Sequence, residues 1–245
     1  MRRRRCLLRH DGSGMIAGGD KLIVALDTVD AGLARAWAEA VCPYAGLLKL
    51  GLEFYLANGA AGVARIAGAP IFLDLKLHDI PNTVAGGVRA VLPLKPRMLT
   101  VHASGGSAMI RAACQAAAGA GPERPMILAV TVLTNLNQDD LNATGIPSAP
   151  PEQVLRLGRL AAEAGADGLV CSPLEVAMLR QALGPGVRLV VPGIRPEGSA
   201  AGDQVRIMTP AQAIAAGADW IVVGRPITGA ANPAAAAAGI VADIV

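Results

Sequence analysis

The heptapeptide Ala164-Gly165-Ala166-Asp167-Gly168-Leu169-Val170 returns 52 residues later as Ala216-Gly217-Ala218-Asp219-Trp220-Ile221-Val222. Each copy closes an alanine-rich helical stretch with glycine, which tolerates the left-handed backbone of a helix C-terminus, and then opens an apolar run. The phrase therefore reads as a helix-to-strand junction, and the spacing accommodates two strand-plus-helix units. Laid along the chain with that unit as a ruler, eight short apolar runs emerge: Lys21 to Asp27, Leu47 to Leu52, Pro70 to Leu77, Met98 to Ala103, Met126 to Thr134, Gly168 to Ser172, Arg188 to Ile194 and Trp220 to Arg225. Most are apolar straight through the middle, as parallel strands covered on both faces must be. Amphipathic stretches such as Leu33 to Val41, Val154 to Ala164 and Ala211 to Ala216 lie between them. Eight such units in 245 residues predict α/β architecture in the form of a single (β/α)8 TIM barrel with a parallel eight-stranded core over residues 21–245. A flavodoxin-like open sheet is the lesser alternative.

Composition narrows the partners. Hydrophobic residues make up 53% of the chain and aromatic residues only 2%, so a large core is available but a base-stacking surface for nucleic acid is not. The net charge of +3 is carried by residues 1–20, where Arg2, Arg3, Arg4, Arg5 and Arg9 outnumber Asp11 and Asp20. That segment, rich in glycine and without periodicity, reads as a disordered basic tail and not as a nucleic-acid or membrane anchor, with Met15 a second candidate start. No run is long and apolar enough for a secretory signal or a membrane span. Cys6, Cys42, Cys114 and Cys171 form no CxxC pair, which predicts reduced thiols, no zinc site and a cytoplasmic protein.

In a barrel, chemistry sits at the carboxyl ends of the strands, and here the apolar runs end in polar groups. They are Asp27, Lys49, Asp74 with Lys76, His102, Thr134, Ser172, Gly193 with Arg195, and Gly224 with Arg225. Charges on neighbouring strands must neutralise one another or a ligand, because burying them unpaired is costly. On the third run the two-residue period of a strand places Asp74 and Lys76 on one face, with Asp79 following in the loop. Two carboxylates near one ammonium favour its charged form, so Lys76 is expected to serve as an acid or electrostatic clamp and not as an amine nucleophile. Glycines after the seventh and eighth strands, each with a nearby arginine, mark the place where barrels recurrently hold phosphate. Two connections are long. Residues 135–151 are expected to carry a short helix from Gln138 to Leu141, and the glycine-rich segment Arg195 to Met208 reads equally as a lid or as a tolerated insertion. The residues alone thus reach a barrel enzyme for a small phosphorylated substrate, with the reaction left open.

The stretch Asp74-Leu75-Lys76-Leu77-His78-Asp79-Ile80-Pro81-Asn82-Thr83 resembles the DxKxxDIPNT signature of the orotidine 5′-phosphate decarboxylase family. Ala25-Leu26-Asp27, Leu48-Lys49-Leu50-Gly51, Thr100-Val101-His102-Ala103, Val130 to Thr134, Pro192 to Pro196 and Val223 to Pro226 match in family order, from about Lys21 to the end of the chain. The resemblance implies a homodimer with shared active sites, working without metal or cofactor, that converts orotidine 5′-phosphate to UMP and CO2 in pyrimidine biosynthesis. It implies that Lys76 donates a proton to C6 while Asp74 lies beside the substrate carboxylate, and that Asp79 and Thr83 serve the neighbouring subunit's site. Asp27 and Lys49 would bind ribose hydroxyls and Thr134 would lie by the pyrimidine. Gly193, Gly224 and Arg225 would hold the phosphate, with Gln204 closing on it, and Arg195 would also bind substrate. Asn135 stands where most bacterial members have serine; it keeps donor and acceptor capacity. Two rivals remain: a magnesium-dependent keto-sugar-phosphate decarboxylase or aldolase on the same barrel, for which Glu53 would be the extra acidic ligand, and a catalytically silent phosphate-binding barrel.

Overall fold

The computed structural model describes residues 17–196 and 208–245. Eight parallel strands close on themselves in sequence order: β1 (Leu22–Ala25), β2 (Leu47–Gly51), β3 (Ile71–Leu77), β4 (Met98–His102), β5 (Met126–Val130), β6 (Gly168–Val170), β7 (Arg188–Val191) and β8 (Trp220–Val223). The helices around them are α1 (Ala31–Val41), α2 (Leu52–Val63), α3 (Pro81–Val91), α4 (Gly106–Ala118), α5 (Gln138–Ala143), α6 (Pro150–Glu163), α7 (Val176–Leu183), α8 (Pro210–Ala215), α9 (Arg225–Thr228) and α10 (Pro233–Ala242). The expected barrel is thus the observed one, and the short helix anticipated from Gln138 is α5, held by a reciprocal capping box between Asn137 and Asp140. Seven of the eight strands end short of the predicted carboxyl boundary. The fifth differs most, stopping at Val130 where the apolar run continues to Thr134. After β5, Val132 and Leu133 still line the cavity once the chain has left the ladder.

Alternation divides the strand side chains into two shells. Leu22, Val24, Leu48, Leu50, Leu73, Leu99, Ile127 and Ala129 face the helices in the main core. Ile23, Ala25, Leu47, Phe72, Met98, Leu128, Val190 and Val222 fill the barrel interior. Phe72, 1% exposed, is the largest of these plugs, and burial of such a side chain contributes about 1.5–3 kcal/mol. Helix starts are locally encoded. The Asp30 side chain accepts from the amides of Gly32 (2.7 Å) and Leu33 (3.0 Å) to cap α1, and proline begins α3, α6, α8 and α10.

The repeated phrase does at both sites what its sequence predicts. Gly165 and Gly217 take φ of 93° and 107°, and the next residues bond back across the turn, Ala166 to Ala161 O and Ala218 to Ala213 O. The aspartate that follows has a role the sequence did not show. Asp167 Oδ2 accepts the Ile127 amide and Asp219 Oδ2 the Leu189 amide, each at 2.8 Å, so each carboxylate ties its own strand to the preceding one. Both are neutralised by arginine: Asp167 by Arg124, Asp219 by Arg180 and Arg188. These clamps lie at the amino ends of the strands, opposite the cavity.

Residues 17–20, read from sequence as the end of a tail, run against the barrel. Gly19–Lys21 form a 3-10 turn with Gly19 buried, and Trp220 Nε1 donates to Asp20 O. Met15, like most of the basic segment, lies outside the described residues. Cys114 and Cys171 are free thiols, as expected, whereas Cys42 is disulfide-bonded, which departs from the expectation of reduced cysteines throughout. No helix among the described residues is long and apolar enough to cross a membrane.

Candidate active site

A cavity of about 460 Å³ opens at the carboxyl ends of the strands. The inner barrel residues Ala25, Phe72, Val130, Val170, Val190 and Val222 line its floor, and Asp27, Lys49, Asp74, Lys76, Thr134, Gly193, Arg195, Gly224 and Arg225 line its wall. Nine expected site residues therefore converge. Asp79 and Thr83 do not: both are exposed at the start of α3 and stand outside the cavity of their own chain, with the Asp79 side chain accepting from the Ile80 amide at 2.6 Å. Gln204 lies outside the described residues.

Four charges alternate across the loop after β1 and the two adjacent strands β2 and β3. Lys49 Nζ is 2.9 Å from Asp27 Oδ1 and 3.5 Å from Asp74 Oδ2, while Lys76 Nζ lies 2.8 Å from both Asp74 oxygens. Within one chain it is thus Lys49 that sits between two aspartates. Among the described residues Asp74 is the one carboxylate paired with Lys76, because the loop carries Asp79 away. Lys49 and Asp74 are nearly enclosed, at 10% and 12% side-chain exposure, and Lys76 is more open at 29%. Burial works against the Lys49 charge, but Asp74 and Asp27 outweigh it and hold its proton above the ordinary lysine range. For Asp74 burial opposes ionisation, and the two ammoniums together with hydrogen bonds from Lys76 and Thr100 reverse the balance, keeping it a carboxylate. His102, whose ring is tilted against that of His78 with centroids 5.3 Å apart, is pushed toward its neutral form by burial, by His78 and by the Lys76 cation.

Lys76 reaches this position through an irregular backbone. Pairing of β3 with β4 is regular to Leu73 opposite Leu99 and resumes at Leu77 opposite Val101, so Asp74, Leu75 and Lys76 together face Thr100 alone. Lys76 adopts φ of 49°, a left-handed conformation that costs a side-chain-bearing residue energy. The sequence placed Asp74 and Lys76 on one face by simple alternation. They do share it, but by way of a bulge. Thr100 went unassigned, since only the tertiary register sets it opposite the bulge. Val132 also lines the cavity without having been singled out, and Cys171 and Glu53, the latter named for the magnesium-dependent rival, line it too. Among the described residues no group of three or more histidine, cysteine, aspartate or glutamate side chains is arranged to hold a metal ion. At the eighth strand, a Cβ on Gly224 would come 3.4 Å from the Ala25 Cβ and 4.0 Å from Asp27 Oδ2, so glycine there keeps the rim beside Asp27 open.

A closed parallel barrel with compensated charges gathered at its carboxyl end is the build of a barrel enzyme. A family model described as Orotidine 5′-phosphate decarboxylase / HUMPS family matches residues 20–240, and the chain belongs to that family. A protein of Gluconobacter oxydans named orotidine 5′-phosphate decarboxylase is 56% identical over 228 residues, covering 91% of this chain and 97% of that one. One of the same name from Anaeromyxobacter dehalogenans is 54% identical, covering 92% and 98%. Among solved structures, the orotidine 5′-phosphate decarboxylase of Lactobacillus acidophilus superposes with a TM-score of 0.81 at 38% identity, covering 91% of this chain and 98% of that one. An uncharacterised protein from Geobacillus kaustophilus does so with 0.80 at 33%, covering 91% and 100%.

Proposed function

We propose that the protein decarboxylates orotidine 5′-phosphate to UMP and CO2, the last step of pyrimidine nucleotide synthesis, in the cytoplasm. The observation that carries this reading is the Asp27, Lys49, Asp74, Lys76 array in a cavity that Gly193, Arg195, Gly224 and Arg225 also line. The arginine wall suits the phosphate, and Arg225 offers a planar cationic donor to it. Asp27 and Lys49 bind the ribose hydroxyls, and Thr134 meets the pyrimidine. This places the reacting carbon at Lys76. The bond from C6 to the carboxylate carbon breaks, the electron pair stays on C6 beside the ammonium, and the Lys76 proton moves to C6. Solvent then restores the ammonium. A fixed cation where negative charge develops, doubling as the acid, is the largest contribution such a site can make. Asp74 lies next to the departing carboxylate and holds the Lys76 ammonium in place through both of its oxygens. Gln204 closes on the phosphate, so that binding energy far from the reacting carbon is expressed there.

The active unit is a homodimer with shared sites. Asp79 and Thr83 are exposed outside their own cavity and flank Ile80, an apolar side chain 67% exposed, which suits a segment that docks on a second copy. Mixing Lys76→Ala with Asp79→Ala protein should restore about a quarter of wild-type activity, because half the dimers then carry one intact site of two. Proven subunit exchange without recovery would argue against sharing. The function itself is tested in a bacterial strain that lacks this decarboxylase and requires uracil. The chain should support growth without uracil and its Lys76→Ala variant should not. Failure of the well-folded wild-type chain to rescue would contradict the assignment.

A further inference from the structure

We infer that Thr100 is a positioning residue for the reaction, holding the β3 bulge in the one backbone conformation that delivers Lys76 to Asp74. The inference deepens the proposed decarboxylase reading and rests on it. Thr100 is fully buried on β4 and is the single residue opposite Asp74, Leu75 and Lys76. Its hydroxyl makes two bonds of opposite sense. Oγ1 accepts the Lys76 amide at 2.9 Å and donates to Asp74 Oδ1 at 3.0 Å. The first satisfies the backbone N–H that the bulge removes from the ladder, where a buried unpaired amide would cost about 1–3 kcal/mol. The second leaves Asp74 Oδ2 turned toward Lys49 and fixes the carboxylate plane against which Lys76 Nζ docks at 2.8 Å. One hydroxyl thereby couples the left-handed backbone of the lysine to the orientation of its counter-ion.

Valine has nearly the shape of threonine but no hydroxyl, so Thr100→Val strips both bonds without opening a cavity. Serine keeps the hydroxyl and loses only a methyl group. The expected result with orotidine 5′-phosphate is a fall in kcat of about ten- to a hundredfold for the valine variant, with KM changed far less, since misplacing a reacting group by a fraction of an ångström acts on the chemical step. Thr100→Ser should stay within a few-fold of wild type. In the valine variant the acid limb of the kcat profile should also move to higher pH, because Asp74 loses a donor to its ionised form. Equal activity of the valine and wild-type proteins would overturn the inference, and so would equal impairment of the valine and serine variants. Should Thr100→Val fail to fold, Thr100→Cys, which keeps the volume with a much weaker donor and acceptor, must fall below Thr100→Ser. A readout free of any substrate separates this inference from the assigned reaction. Hydrogen exchange at the Lys76 amide should accelerate in the valine variant and not in the serine variant, and unchanged protection would refute the role of Thr100 even if orotidine 5′-phosphate were not the substrate.

Discussion

The two ends of the barrel use the same residue types to opposite purposes. At the amino end, Asp167 and Asp219 are repeats of one another, each bonded to a strand amide and to arginine, and the left-handed turns before them fall on glycine. At the carboxyl end, Asp27, Lys49, Asp74 and Lys76 share charges around a cavity, and the backbone of Lys76 is held in a left-handed conformation. The first arrangement binds strand to strand and leaves no group for a ligand. The second holds Asp74 as a carboxylate and Lys49 as an ammonium, with Lys76 paired to Asp74, beside open space, which suits a reaction. Charge pairing at the amino end therefore ties strands together, and charge pairing at the carboxyl end stands where barrels carry their chemistry.

Substitutions at each end break or sharpen this contrast. The largest effect belongs to Lys76→Ala, which should lower kcat on orotidine 5′-phosphate by about a thousandfold or more while the melting temperature holds, since acid and electrostatic contributions are lost together. Comparable turnover in the variant would erase the distinction between the ends. Asp219→Ala should do the reverse. Loss of the Leu189 amide acceptor and of the partner for Arg180 and Arg188 should cost about 3 kcal/mol, or roughly 6–12 °C in melting temperature, with kcat unchanged below the transition. A fall in kcat with no fall in stability would contradict the structural role.

Acid sensitivity gives a smaller, third test. Burial alone would raise the Asp219 pKa, but the Leu189 amide and the two arginines hold it below the ordinary 3.8. A depressed folded-state value adds stability that is present in full above 3.8 and is lost as pH falls through the lower value. Lys49 has the opposite sign: its raised value adds stability in full below 10.5, lost only as pH climbs beyond it. In urea titrations, Asp219→Asn should flatten the loss of stability on acidification below the ordinary carboxylate range and leave the alkaline side as in wild type. Parallel curves for the two proteins on the acid side would remove Asp219 from the account.

Much of this was legible in the sequence because it is local. The repeated phrase encodes a glycine-terminated helix and the strand after it, and continuous apolar runs encode strands covered on both faces. The end of β5 was overrun since Val132 and Leu133 stay apolar while lining a cavity, and only the ladder bonds reveal where the strand stops. The sequence could show that Asp74 and Lys76 share a face, but not that three residues there oppose one, so the role of Thr100 stayed hidden. Asp167 and Asp219 were visible as a repeat, yet their partners Arg124, Arg180 and Arg188 lie tens of residues away. Asp79 illustrates a different limit. Its expected neighbours belong to a second copy of the chain, and a single fold cannot bring them together.

The most direct measurement is the loss of ultraviolet absorbance when wild-type protein is given orotidine 5′-phosphate, run with and without EDTA. The account predicts full conversion to UMP at a rate that EDTA leaves unchanged. No conversion by well-folded protein, or conversion that EDTA abolishes and magnesium restores, would contradict it.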